Sequence, residues 1–200
     1  MKNKLLGVIS LGCSKNRLDT EGMLYALLQN GFEITEELDQ ADLLIVNTCS
    51  FIQSAKEESI EAILQAGEIK SQKEGCKLLV TGCLPERYRE ELARELPEVD
   101  AFVGVNQYGK IVDIVNRMFE GERIAEFVER AALPLGRVRT TPKHLAYVRI
   151  AEGCDHACAY CAIPSIRGPY RSRPMEEIIE ECKHLIADGG REIVLMAQDT

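Results

Sequence analysis

Residues 1–120 alternate between two hydrophobic rhythms. Short runs of consecutive apolar residues, LLGVISL, DLLIVN, KLLVTG and AFVGV, show no apolar–polar alternation. Runs of that length and character read as strands covered on both faces, as in a parallel sheet. Between them the apolar residues recur at helical spacing. The first such stretch runs from Asp19, a good N-cap, to Gly31, a good stop, with Met23, Leu24, Leu27 and Leu28 on one face. A second covers Ile52 to Ile69 with Ile60, Ile63 and Leu64 as its stripe. A third spans Glu86 to Leu96 and a fourth Tyr108 to Phe119. Strand–helix repetition predicts βαβ units and an open, doubly wound α/β sheet over 1–120.

Residues 121–143 break the rhythm. Scattered apolar positions, two prolines and a basic tail suit a linker with a short hairpin. A new strand, LAYVRIAEG, opens a second α/β unit over 144–200. Its helix, Met175 to Asp188, carries Ile178, Ile179, Cys182, Leu185 and Ile186 on one face, and Gly189 and Gly190 end it. EIVLMAQDT is the next strand. Two βα units cannot close a barrel, so this segment reads as the start of an incomplete domain. No internal repeat or low-complexity tract is present.

Composition narrows the class. A chain of 200 residues, 46% hydrophobic, can bury one full core without disulfide support. Its apolar runs are too short to span a bilayer. The start MKNKLLGVISLGC resembles an export signal, but polar SKNRLDTEG follows where a small-residue cleavage site belongs, so a buried first strand is expected. A net charge of −8 disfavours nucleic-acid binding by the surface as a whole. Eight cysteines in a small chain could form a secreted disulfide scaffold. Charged amphipathic helices and tight cysteine clustering fit cytoplasmic thiols acting as metal ligands better.

The stretch CDHACAYC puts Cys154, Cys158 and Cys161 in one loop after a strand, where three sulfurs can wrap an iron–sulfur cube. The alternatives are three small buried residues, or a zinc site with His156 as fourth ligand. Zinc sites favour two C-x-x-C pairs, and one close pair exists here. Cubes commonly take four thiolates, so three leave one iron open for chemistry. Cys13, Cys49 and Cys83 each follow an expected parallel strand. Such strand ends share one edge of the sheet, where ligands bind, so these three are expected to converge on a second cluster. The alternative is three packed small residues. Cys76 precedes its strand and belongs at the opposite edge, and Cys182 lies on an apolar helix face; both read as structural. Arg167, Arg171 and Arg173 suit either anion contact or a solvated basic loop. The glycines of Gly189–Glu192 are explained by helix capping. His144, His156 and His184 show no partner spacing.

The pattern C-x-x-x-C-x-aromatic-C, with Tyr160 in the aromatic place, resembles the radical S-adenosylmethionine superfamily. The resemblance implies that the open iron chelates the amino and carboxylate groups of S-adenosylmethionine, whose cleavage yields a deoxyadenosyl radical. It implies that Tyr160 lies near the adenine and that Gln198 reaches the cofactor region; of the three arginines read above for anion contact, Arg167 is the candidate for the cofactor. Two cysteine trios in this order are similar to the methylthiotransferases, through SLGCSKNRLDTE, NTCSF, TGCLPERY, EGCDHACAYCAIPSIRG and SRP. That family implies an N-terminal domain with an auxiliary cluster, a radical barrel and a C-terminal TRAM domain. It also implies two [4Fe–4S] clusters and an electron donor of the flavodoxin or ferredoxin class. One cofactor molecule methylates a sulfur held on the auxiliary cluster, and a second supplies the radical that opens an unactivated C–H bond. Ser14, Lys15 and SFIQSAKEESIEAIL resemble the RimO type, which modifies the β-carbon of an aspartate on ribosomal small-subunit protein twelve. Transfer-RNA adenosine enzymes typically read GCQMN there and remain an alternative; nucleic acid would then be met through parts outside this chain. A zinc-binding or redox module without catalysis is a third reading. An unclosed barrel would expose the radical to water, so these residues alone are not expected to turn over.

Overall fold

The computed structural model describes residues 3–127 and 136–199. The chain divides into two compact units, 1–138 and 139–200. In the first, strands β1 (Lys4–Ser10), β2 (Phe32–Ile34), β3 (Leu43–Thr48), β4 (Lys77–Gly82), β5 (Ala101–Val103) and β6 (Ile124–Glu126) alternate with helices. The helices are α1 (Ser14–Leu28), α2 (Gln53–Gln72), α3 (Cys83–Glu95) and α4 (Ile111–Phe119). The strands form one parallel sheet in the order β2-β1-β3-β4-β5-β6. This is the expected doubly wound architecture.

The central strands explain why it forms. All six residues of β3 are buried, which only a strand covered on both faces can achieve. Leu44, Val46, Leu78, Val80 and Phe102 point to one face and pack with Ile63 and Ala66 of α2 and Leu92 of α3. Buried Leu27, Ile114 and Met118 belong to α1 and α4, which pack on one another.

Three helix starts and two edge strands differ from the sequence reading. Helix α1 begins at Ser14, with Cys13 as N-cap, rather than at Asp19. Its first turns carry buried polar residues, Asn16, Asp19 and Thr20, so no apolar stripe announces them. Helix α3 begins at Cys83 itself and kinks at Arg89, where φ is 34°. Tyr108–Lys110 form a 3-10 turn ahead of α4. The edge strands β2 and β6 bury one residue each and leave too short a pattern to be seen in the sequence. Strand β6 lies inside the segment expected to be a linker and joins the sheet parallel to β5 instead of forming a hairpin with it. The rest of that expected hairpin falls on 128–135, outside the described residues.

The second unit holds β7 (Leu145–Arg149), β8 (Ala151–Glu152), α5 (Ile163–Arg167), β9 (Arg171–Ser172), α6 (Met175–Ala187) and β10 (Glu192–Met196). Strand β10 runs parallel to β7, and β8 pairs antiparallel with β9. The single strand expected over LAYVRIAEG is split at Ile150. Its N–H donates to Met196 O and its carbonyl accepts from Arg173 N–H. Among the described residues no helix is long and apolar enough to cross a membrane.

Candidate metal centres

Cysteines 13, 49 and 83 each sit at the carboxyl end of a strand, after β1, β3 and β4. These strands are neighbours in a parallel sheet, so their ends share one edge. The strand order reverses between β1 and β3, and a crevice opens at such a switch point. Two of the sulfurs lie against Asn16 there, and the third lies beside Gly12. Asn16 Oδ1 lies 4.0 Å from Cys13 Sγ and 3.7 Å from Cys83 Sγ. A Cβ on Gly12 would come within 3.2 Å of Cys49 Sγ. Cys49 and Cys83 are buried and Cys13 is exposed, so the trio opens to solvent on one side.

Local hydrogen bonds fix the three backbone positions. Cys49 N–H donates to Ser59 Oγ at 3.0 Å, and that hydroxyl donates back to Cys49 O at 2.9 Å. Ser50 Oγ donates to Cys83 O at 3.0 Å. Asn47 Nδ2 donates to Asn16 O and Thr20 Oγ1 at 2.8 and 2.9 Å. Two glycines let the cysteines approach. Gly12 has φ +87° and Gly82 has φ +100°, values that disfavour any side chain. A Cβ on Gly82 would also stand 2.3 Å from Thr48 O and 2.4 Å from Asn47 Oδ1. That Asn47 oxygen is buried with no hydrogen-bond partner among the described residues. Asn16, Ser59 and the two glycines were not singled out in the sequence. The available signal was a polar asparagine inside GCSKN where a core-facing helix should be apolar.

Among the described residues no three His, Cys, Asp or Glu side chains converge tightly enough to hold a single metal ion. Three thiols spread around a shared point suit a larger thiophilic group, and an iron–sulfur cluster fits that donor set.

The second trio lies in the loop between β8 and α5. Cys154 N–H donates to Gly168 O at 3.2 Å, and Cys161 N–H to Cys158 O at 3.0 Å. Ile163 N–H, at the start of α5, donates to Cys161 Sγ at 3.5 Å. Gly153, at φ +77°, lets the loop entrance close on Gly168 O and Pro169 O. Gln198 accepts from Gly153 N–H at 3.0 Å through Oε1 and donates to Glu152 Oε1 at 2.7 Å through Nε2. Buried Glu152 lies 2.8 Å from Arg149 Nη1 and 3.5 Å from Arg167 Nη1. Arg173 donates to Arg149 O and pairs with Glu181 at 2.6 Å. Tyr160 stands 93% exposed on the loop. His156 Nε2 is 3.3 Å from Asp199 Oδ2. Cys76, 4% exposed, precedes β4 and therefore lies at the other edge of the sheet, as expected. Burial pushes its thiol up from 9.0.

An open parallel sheet with thiols at its switch point, followed by a three-cysteine loop, has counterparts among known proteins. Residues 6–104 match the model of Uncharacterized protein family UPF0004, and residues 148–200 match that of the Radical SAM superfamily. Three relatives are each described as Ribosomal protein uS12 methylthiotransferase RimO. The chain is 51% identical to that of Clostridium tetani (strain Massachusetts / E88), over 97% of this chain and 44% of the relative. It is 50% identical to that of Desulforudis audaxviator (strain MP104C), over 98% and 44%. It is 45% identical to that of Thermoanaerobacter sp. (strain X514), over 100% and 46%. The chain thus spans less than half the length of these relatives. A solved radical S-adenosylmethionine methyltransferase, TsrM from Kitasatospora setae, shares the fold with a TM-score of 0.65 at 15% identity. That likeness covers 99% of this chain and 48% of the other. The chain belongs to the radical S-adenosylmethionine methylthiotransferase family.

Proposed function

We propose that this chain carries the two iron–sulfur sites of an enzyme that methylthiolates the β-carbon of an aspartate on ribosomal small-subunit protein twelve. The carrying observation is that Cys13, Cys49 and Cys83 stand at one edge of the sheet, at its switch point, with Cys13 and Cys83 against Asn16 and Cys49 beside Gly12, in a chain that also holds the Cys154/Cys158/Cys161 loop. Relatives named ribosomal protein uS12 methylthiotransferase, matched across essentially this whole chain, support the ribosomal-protein substrate; the aspartate β-carbon is what the family resemblance implies. When bound, two [4Fe–4S] clusters and S-adenosylmethionine supply the radical and the sulfur that no side chain can provide.

The residues' own work is binding and exclusion. The sheet through β6 holds the auxiliary site, and 144–200 begin the radical domain. Cys13, Cys49 and Cys83 ligate the first cluster; Cys154, Cys158 and Cys161 ligate the second. Tyr160, exposed on its loop, lies near the adenine. Gln198 and Arg167 face the cofactor region while engaged with Glu152, so they also shape the loop from behind. An electron donor of the flavodoxin or ferredoxin class serves the second cluster, and the enzyme works in the cytoplasm beside the ribosome. Iron and sulfide analysis after anaerobic reconstitution tests this. About eight irons per chain are expected, falling by half in Cys13/Cys49/Cys83→Ala and by half in Cys154/Cys158/Cys161→Ala. Stoichiometric zinc with little iron would overturn the reading. In a chain extended to the relatives' full length, modification of transfer RNA and not of the ribosomal protein would overturn the substrate.

A further inference from the structure

Asn16 is fully buried on the first turn of α1, and its amide is held at both ends. Nδ2 donates to Leu11 O at 3.2 Å and to Thr48 O at 2.8 Å. Those carbonyls belong to the last links before Cys13 and Cys49, so one side chain ties the ends of β1 and β3 together. Both amide N–H groups are engaged. Flipping the amide would turn its oxygen onto two carbonyl oxygens and leave both unpaired, at a cost of about 1–3 kcal/mol for each. The oxygen is therefore compelled to face Cys13 Sγ and Cys83 Sγ, at 4.0 and 3.7 Å.

We propose that Asn16 is a positioning residue for the Cys13/Cys49/Cys83 cluster: its amide N–H groups lock the strand ends that present the sulfurs, while its carbonyl dipole tunes the group they hold. The proposal rests on the cluster assignment above. Free thiols can donate weak S–H···O contacts to that oxygen, which keeps Cys13 and Cys83 turned inward before loading. With the sulfurs ligated, the negative end of a fixed dipole faces the cluster and disfavours an added electron. Hydrogen bonding and charge near the sulfurs are among the terms that set such potentials. Asn16 thus holds the midpoint low.

The test uses the full chain carrying Cys154/Cys158/Cys161→Ala, so that a single cluster is read. Reconstituted parent protein is expected to hold about four irons. Asn16→Ala removes the dipole and is expected to shift the midpoint positive; Asn16→Asp puts a negative charge there and is expected to shift it negative. Opposed signs are not produced by a loss of fold alone. Ile114→Ala is the structural control. It empties a fully buried site on α4, and is expected to lower the melting temperature while leaving the midpoint and EPR spectrum unchanged. Should Asn16→Asp fail to fold, Asn16→Ala against Ile114→Ala decides the matter. A parent holding four irons whose variants keep its midpoint, or move it in one common direction, refutes the role of Asn16 and leaves the cluster standing. A parent that binds no iron refutes the cluster assignment, and Asn16's role with it.

Discussion

Gly12 and Gly82 show how a thiol site depends on residues that carry no chemistry. Each precedes a cysteine, each has a positive φ, and each leaves no room for a Cβ. Gly31 offers the comparison, since its φ is +86° and nothing lies within 4 Å of where a Cβ would sit. Gly31→Ala is expected to cost about 1–2 kcal/mol, the left-handed conformation alone. Gly82→Ala must also displace Thr48 O, a backbone atom on the adjacent strand, so it should cost clearly more in urea unfolding and also deplete iron from the first trio. Equal costs for the two variants would show that the Gly82 backbone relaxes without penalty. The cysteines themselves were legible because each stands just past a strong apolar run, and a parallel sheet sends such positions to one edge. Gly82, Asn16 and Ser59 were not, because their importance lies in contacts between residues far apart in sequence, such as Asn16 with Thr48. A lone glycine or asparagine has no periodicity to reveal it.

At the level of elements, legibility followed burial. Strands β3 and β4 are buried almost throughout, so their apolar runs were unambiguous. Strands β2 and β6 sit at the two edges of the sheet and bury one residue each. Edge strands need little apolar sequence, and β6 therefore passed for linker. Its attachment to α4 is partly ionic. Arg117 lies 2.5 Å from Glu126 of β6 and 2.9 Å from Glu122, and these partners push its guanidinium pKa up. The side chain is one-third exposed, at 33%, so solvent screens much of that attraction. Arg117→Ala is expected to cost little. Ile114→Ala on the same helix empties a fully buried site and should cost about 2–5 kcal/mol. Chemical denaturation of the two variants side by side checks the order; a larger loss for Arg117→Ala would mean that charge, not packing, holds α4 and β6 in place.

The two units of the molecule differ in how much core each possesses. The first stacks helices on both faces of six parallel strands, with β1, β3 and β4 at the centre of its pairing. The second, over its described residues, has a two-stranded β7/β10 sheet, and α6 has no buried residue. Met175, Ile179, Ile186 and Leu195 stand exposed there. Two-stranded sheets with so little buried against them are marginal by themselves in water. Amide hydrogen exchange should therefore be slowest in β3 and β4 and on the order of 100-fold or more faster in α6 and β10 of the metal-free chain. A group that binds only the folded loop stabilises it by mass action. Loading iron on Cys154, Cys158 and Cys161 should accordingly slow exchange around Gly153, whose N–H is held by Gln198, and at Ile163, whose N–H meets Cys161 Sγ. Amides of β3 should not respond when the first trio is replaced by alanine, since no cluster then touches their sheet. If iron slowed β3 and α6 equally in that variant, the two units would have to share one cooperative fold, and the stability of the radical loop would be set by the first sheet rather than by its own metal.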